Sequence, residues 1–582
     1  MPFGAILVLI ILWRKIMKRK MSFILAAVLM LAPGWGGAML MASGNAAQST
    51  GQTSASAANV NPAGVLPIVK NKINLSVFAE VDASIQNLEE NAAIKRLESE
   101  TNIHIDVTAR PSNNNDVVIQ RNLLLASGDY PEVFMMIDRG AFTQVEMIQY
   151  GMKDKIFIPL NNLIDKYGYE LKQIFEYNPD FKNIMVMPDN NIYAITRIAE
   201  VFHTWAYPKY WVNQSWLNQL NIATPKTIED YYNMLKTIKN GKPDGQANPI
   251  PVTTNTNATL DLYVMNAYMP YNRASNYCYL DDNNKIVFAP GLPEFREGLR
   301  FLNKIYTEGL LDPSAFTQTQ EQMQQSIRQE VFLVGGYLAD HMTQGVDGNN
   351  VKAMAAYTAL TPVKATEKGG WQSSVSRINY NMNGYYLITD KCKNPEAAFR
   401  LADYFSNEET FDYKANGQEG LDWKKPDVPT LNMAGGPFKV MPLTITDPEL
   451  LRTALNRRFN VGNLRGIKEV RDSWQRLVSG DDLNLPAYYE SRLQVETAKV
   501  FPYFYPKELS AALMLDENEM VEYSNINTNL RNHVIRSVAQ FTVGDRSIDR
   551  DWDAYLNELK NFKLDRFLEL YQKSYDRFKS IK

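Results

Sequence analysis

Cysteine is nearly absent. Two residues in 582, Cys278 and Cys392, exclude a disulfide-built scaffold. Neither belongs to a Cys-x-x-Cys pair or a Cys/His cluster, so zinc has no evident ligand set, and the two thiols are expected to be free. Histidine is scarce too: four residues leave few candidates for imidazole acid/base or metal chemistry. A surplus of basic charge is lacking, with 61 Lys and Arg against 64 Asp and Glu, a net charge of −3. Five of the basic residues lie in residues 1–44, which hold no acid, so the remainder carries 56 against 64, or −8. Nucleic-acid binding needs a basic patch to displace phosphate counterions, and this balance argues against it. Also missing are a phosphate-binding loop, a Gly-x-Ser-x-Gly elbow, a His-Glu-x-x-His pair and any internal repeat; Gly335-Gly336 alone makes no nucleotide site.

What is present begins with an address. Met17-Lys18-Arg19-Lys20 is a positive n-region, Met21–Ala32 an apolar h-region, and Pro33 with Gly34 breaks it. The run falls short of the ~20 apolar residues that span a bilayer. Upstream, Met1–Trp13 is a second apolar run; a true start at Met17 or Met21 explains it, and a two-helix membrane hairpin is the alternative. Residues 1–44 are therefore a targeting segment. Residues 45–71, small, polar and punctuated by Pro and Gly, are expected to be a disordered tether. Beyond it the chain has room for at least two cores, because single cores stop growing near ~250–300 residues.

From residue 72 strands and helices alternate. Ile73, Leu75 and Val77 recur at period two, and helical spacing follows through Leu88, Ala92 and Leu97. Ile103–Val107 is the next alternating strand, with His104 on its polar phase and hence expected on the solvent side. Val117–Ala126 is a predicted helix that Gly128 ends, and Val133–Ile137 is a continuous apolar strand. Strands separated by such helices imply βαβ units and a mostly parallel sheet. Ligands in such sheets bind outside the carboxyl ends of the strands, which points at Asp82, Asp138 and Arg139. Further on, Thr227 with Asp230 forms a capping box before a helix whose apolar face is Ile228, Tyr231, Tyr232, Leu235 and Ile238.

Four stretches in order carry a resemblance: Trp211–Thr227, Val331–Asp340, Gly417–Trp423, and Asp549–Tyr555 through Tyr575-Asp576-Arg577. With the signal segment they resemble the extracellular solute-binding proteins of ABC importers, in the large carbohydrate-binding, lipoprotein-like subfamily of Gram-positive bacteria. The resemblance covers residues 72–582. It implies a two-lobed α/β fold of the type II periplasmic-binding-protein kind with an enlarged helical C-terminal part. Lobe 1 would take residues 72–198 and 365–415, lobe 2 residues 199–364 and 416–582. Departures exist. Ser43 stands where the family's lipobox has its cysteine, and a hydroxyl cannot supply the thioether, so export without lipidation is expected at the cell surface or outside it. Asn213-Gln214-Ser215 stands where an Arg/Lys-Asp pair is common. Gly241–Asn248 offers one carboxylate where relatives have an Asp-rich loop, too few oxygens for calcium, which takes 6–8.

A sugar presents apolar ring faces and a rim of hydroxyls, so its site needs aromatic rings and directional polar groups. The chain offers this mixture at Trp205 and Tyr207, where the family crosses between lobes, at Tyr337 and Asp340, at Trp371 and Arg377, at Tyr385, and at Trp423. Tyr210, Trp211, Trp216 and Tyr386 are better read as core. For Trp205, Trp371 and Trp423 both readings stay open. The expected function is capture of a sugar or oligosaccharide between two lobes by hinge closure, with delivery to membrane permease subunits. No cofactor, metal or catalytic residue is expected, and a monomer is. A carbohydrate-active hydrolase or lyase, and a sensor or adhesin without transport, are the alternatives.

Overall fold

The computed structural model describes residues 52–79, 85, 87–108, 114–136, 140–374, 383–459, 464–507, 509 and 513–580. The targeting segment, Asp82, Asp138, Arg139 and Arg377 lie outside them. Strands are β1 (Ile73–Ala79), β2 (Ile103–Thr108), β3 (Val133–Met135), β4 (Lys209–Asn213), β5 (Cys278–Leu280), β6 (Ile286–Phe288), β7 (Gly336–Ala339), β8 (Tyr357–Ala359), β9 (Tyr386–Ile388), β10 (Trp423–Lys424) and β11 (Met441–Pro442).

The first sheet has the order β2-β1-β3-β9. β1 runs parallel to β2, Ile73 opposite Ile103, and parallel to β3, Val77 opposite Val133. The helices between them form as their ends dictate. Asn91 caps Ala92–Thr101 by accepting from the amides of Ala93 and Ile94, and Asn102 ends it in the left-handed region at φ 60°. Asn114–Ser127 ends at Gly128, whose φ of 74° favours glycine. Leu88 lies outside the first helix, and β3 stops at Met135, two residues short of the apolar run. β9 joins antiparallel, Val133 opposite Ile388. His104 is half-buried on β2, and its Nδ1 lies 2.6 Å from a carboxylate oxygen of Glu98.

The second sheet, β7-β4-β8, is antiparallel throughout, which corrects the expectation of a mostly parallel chain for this half. All five residues of β4 and all four of β7 are buried. A continuous apolar run reports burial on both faces, not strand direction, so the sequence pattern could not separate the two. Residues 250–253 lie parallel to β7 through Ile250 with Val334 and Thr253 with Tyr337. Gly336 allows the ring of Tyr210 to lie against β7, where a Cβ would collide with the phenol. Tyr210, Trp211, Trp216 and Tyr386 are core, each at 1% exposure or less. The Thr227/Asp230 capping box is present at the head of Ile228–Gly241.

Against this half pack the helices Pro293–Thr307, Glu517–Val543, Trp552–Asn561 and Leu564–Ser580, joined by the stacking of Phe295 on Tyr555 and Tyr523 on Phe567. They form the enlarged helical C-terminal part.

Two expected boundaries are corrected. Residues 52–71 are not a structureless tether: Gln52–Asn59 is a helix, and Ile68 and Val69 are buried. Ser56 donates to Glu396 at 2.7 Å, and the Arg400 guanidinium donates to the carbonyls of Asn61 and Val65 at 3.0 and 2.9 Å. Composition hid this because the segment is ordered by the helix Pro395–Phe405, more than 320 residues away in sequence. Within the stretch expected in lobe 2, residues 465–474 contact the side of the first sheet. Trp474 stacks on Phe411 and donates to Asp412 at 2.7 Å, and Arg465 pairs with Glu170 at 2.7 Å, all on the side of the first sheet. Gln494 of Tyr489–Val500, the helix beside β8, donates to Asp472 at 3.0 Å. No helix among the described residues is long and apolar enough to cross a membrane.

Candidate functional site

Four stretches meet where the chain crosses between the sheets: 202–208, 266–279, 372–374 and 501–509. Their placement is specified locally. Buried Asn266 donates to the carbonyls of Leu262 and Tyr271 and accepts from the Tyr271 amide, closing the 266–271 loop. The 369–374 strap lies directly on that loop, with the amides of Gly370 and Trp371 donating to the Asn266 carbonyl. Gly369 permits this approach, since a Cβ there would overlap the Ala267 carbonyl. Gln372 then ties three stretches: its amide donates to the Tyr503 carbonyl and its side chain to the Pro208 carbonyl, both at 2.8 Å.

Between them lie two chambers. The larger, about 290 Å³, is walled by Trp205, Tyr279, Phe501, Phe504, Tyr505 and Lys507 with Asn272 and Ser373. The smaller, about 260 Å³, is walled by Tyr207, Arg273, Asp340 and Arg531, again with Asn272 and Ser373. Those two shared residues place the chambers side by side along one trough. Its rings are held edge to face: Trp205 on Phe202 at 5.3 Å, Phe202 on Phe501 at 5.5 Å, Phe501 on Phe504 at 5.0 Å. Tyr505 is fixed by its hydroxyl, which donates to the Leu280 carbonyl at 2.6 Å, and meets Tyr279 at 5.8 Å.

Beneath the smaller chamber is a buried cation. Lys209 has no exposed surface, and its ammonium donates to the carbonyls of His203 and Ala206 at 2.8 and 2.9 Å. Burial pulls its pKa down to about 7, opposed by the charges of Asp340 and Glu496. Burial raises that of Asp340, against the pull of Lys209 and Arg273. His341 is lowered to about 4 by burial and then by Lys209, and Tyr207 Oη lies 2.6 Å from its Nε2. His203 faces it with ring centroids 5.2 Å apart, and burial lowers its pKa as well.

Of the residues expected at the site, Trp205, Tyr207 and Asp340 line the trough. Trp371 stands one layer behind, its ring 5.1 Å edge-on to Tyr505 and its indole N–H donating to the Lys368 carbonyl. Tyr337 is a core residue whose hydroxyl donates to the Met342 carbonyl. Tyr385 is buried where its carbonyl accepts from Met136. Trp423 holds a turn: its N–H donates to the Gly417 carbonyl at 2.8 Å, beside the Asp422–Arg457 pair. Sequence reasoning missed Asn272, Arg273, Tyr505, Lys507 and Arg531. The one signal available was the Phe501–Pro506 run, four rings and two prolines apart from any periodicity.

No three His, Cys, Asp or Glu converge among the described residues. In the Gly241–Asn248 loop the Asp244 carboxylate is taken by the Trp216 indole at 2.7 Å.

Two α/β lobes and a trough of ring faces and hydrogen-bonding groups at their crossings define a binding protein for a small polar solute. The family model of the bacterial extracellular solute-binding proteins matches residues 83–410, and the chain belongs to that family. It is 26% identical over 527 residues to the fructooligosaccharide ABC transporter substrate-binding protein FusA of Streptococcus pneumoniae, covering 89% of this chain and 92% of that one. The structure of FusA in complex with kestose superposes with a TM-score of 0.67 at 21% identity over 88% of this chain and 100% of that one. An extracellular solute-binding protein from Bifidobacterium longum subsp. infantis gives 0.69 at 19% identity over 87% and 98%. The structural matches establish the two-lobed fold. Membership of an extracellular family makes this an exported protein.

Proposed function

We propose that the protein is the capturing component of an oligosaccharide ABC importer. It holds the sugar in the trough, closes its lobes around it, and presents the closed form to a pair of membrane permease subunits. The carrying observation is the trough itself, lined by the rings of Trp205, Phe504 and Tyr505 and by the polar side chains of Asn272, Ser373 and Tyr207. The relationship to FusA over nearly the whole chain supports the same reading. Lobe 1 comprises 72–198 and 365–415, with 52–71 packed on it and 417–476 as a bridging layer, and lobe 2 comprises 199–364 and 477–582.

Capture, not catalysis, is the proposed role. A glycoside hydrolase needs two carboxylates roughly 5–10 Å apart across the bond. Of the described residues along the trough, Asp340 is the one carboxylate. Because Ser43 stands in the lipobox position, the mature protein is proposed to be secreted or held by its uncleaved signal segment, as a monomer. Titration calorimetry with fructo-, gluco- and uronate oligosaccharides tests the reading; saturable binding with the sugar recovered intact supports it, and release of shortened sugars refutes it.

A further inference from the structure

We infer that the oligosaccharide taken by this trough is anionic, bearing carboxylate or sulfate groups; the inference rests on the sugar-binding reading above. Some arginines pair with acids, Arg457 with Asp422 and Arg492 with Glu496 at 2.8 Å and Arg465 with Glu170 at 2.7 Å, whereas Arg400 and Arg328 donate to neutral backbone carbonyls. The trough cations are of the second kind. Arg273 and Arg531 line its smaller chamber and Lys507 its larger one, and among the described residues no carboxylate lies within 4.0 Å of any of them. All three are oriented by neutral acceptors instead. Arg273 donates to the Asn257 carbonyl at 2.9 Å and the Thr259 hydroxyl at 2.7 Å, Arg531 to the Asn276 side chain at 3.2 Å, and Lys507 to the Asp281 carbonyl.

Asp340 acts on the buried Lys209 and on Arg273, and Asp261, whose carboxylate accepts from the Tyr271 hydroxyl at 2.9 Å, also acts on Arg273. That leaves Arg531 and Lys507, one at each chamber, with no carboxylate within 4.0 Å among the described residues. Half-buried cations held by neutral acceptors keep their full attraction for an incoming carboxylate or sulfate, and a guanidinium fork matches either oxyanion with two hydrogen bonds. Each chamber thus combines aromatic lining with a cation that no described carboxylate pairs, an arrangement that suits an acidic sugar unit in each.

The test is calorimetric binding of oligogalacturonates and oligoguluronates against their methyl esters, and of sulfated chondroitin disaccharides against desulfated ones, with kestose as a neutral control. The acid form of at least one pair should bind about tenfold or more tightly than its neutral form, a difference of about 1.4 kcal/mol. That preference should shrink in high salt. Arg531→Gln and Lys507→Gln should each reduce the preference while leaving the unliganded melting temperature unchanged. The pair that responds tells carboxylate from sulfate. Neutral and acid forms binding alike, or kestose alone binding, overturns the anionic class and leaves sugar capture intact. Binding by none of the saccharides overturns both.

Discussion

Single residues separate the rings that meet ligand from those that only hold the fold. Tyr505 walls the larger chamber and is half-exposed, so Tyr505→Ala should weaken oligosaccharide binding severalfold or more, a stacked ring being worth on the order of 1 kcal/mol beyond its area. Its melting temperature should change little. Trp423→Ala should behave oppositely: the ring is 7% exposed and anchors the 417–423 turn, and loss of a core aromatic costs about 3–5 kcal/mol. Calorimetric binding and thermal melts on both variants check this; normal affinity in Tyr505→Ala would remove that ring from the site. Asp412 gives a pH signature. Burial raises its carboxyl to about 7, so between the unfolded value near 4 and pH 7 the folded state holds the proton more tightly, and stability falls as pH rises through that window. Asp412→Asn, which keeps an acceptor for the Trp474 indole, should flatten the fall and raise the melting temperature at pH 7.5 but not at pH 4. Melts across that range decide it.

At the scale of elements, the βαβ start was legible because period-two strands, a Gly-ended helix and a capping box are local signals that tertiary packing did not override. The direction of β4, β7 and β8 was not, since it depends on how distant segments return. The same limit hid the N-terminal helix. Residues 52–71 read as polar and structureless, yet Ile68 and Val69 are buried and the Arg400 contacts reach the segment across more than 330 positions. Removing residues 1–50 should therefore leave the melting temperature unchanged, whereas removing 1–71 should lower it by several degrees; equal melts for the two truncations would return the segment to a passive tether. The Gly241–Asn248 loop makes a separate prediction. Its Asp244 is already engaged by Trp216, so chelator should not move the melting temperature, and a drop reversed by calcium would contradict that.

Across the whole molecule, the site was legible in kind more than in place. Of the rings and polar groups expected near the first crossing, Trp205, Tyr207 and Asp340 lie along the trough. Trp371 and Trp423 looked equivalent in sequence, flanked by Gly and polar residues, but one backs a cleft ring and the other closes a turn. The 501–509 wall escaped because a Pro-broken aromatic run has no periodicity to assign it a face. The fold joins its lobes by crossings and by the 464–476 layer, so ligand-driven closure must preserve the Trp474–Asp412 and Gln494–Asp472 contacts as the trough narrows. The most direct test of capture is a thermal-shift titration with the oligosaccharide panel, the sugar being recovered and weighed by mass spectrometry afterwards. A ligand at ~100 times its dissociation constant should add about 2.7 kcal/mol of stability and return intact. No shift with any saccharide, or a shift accompanied by cleaved sugar, would contradict the account.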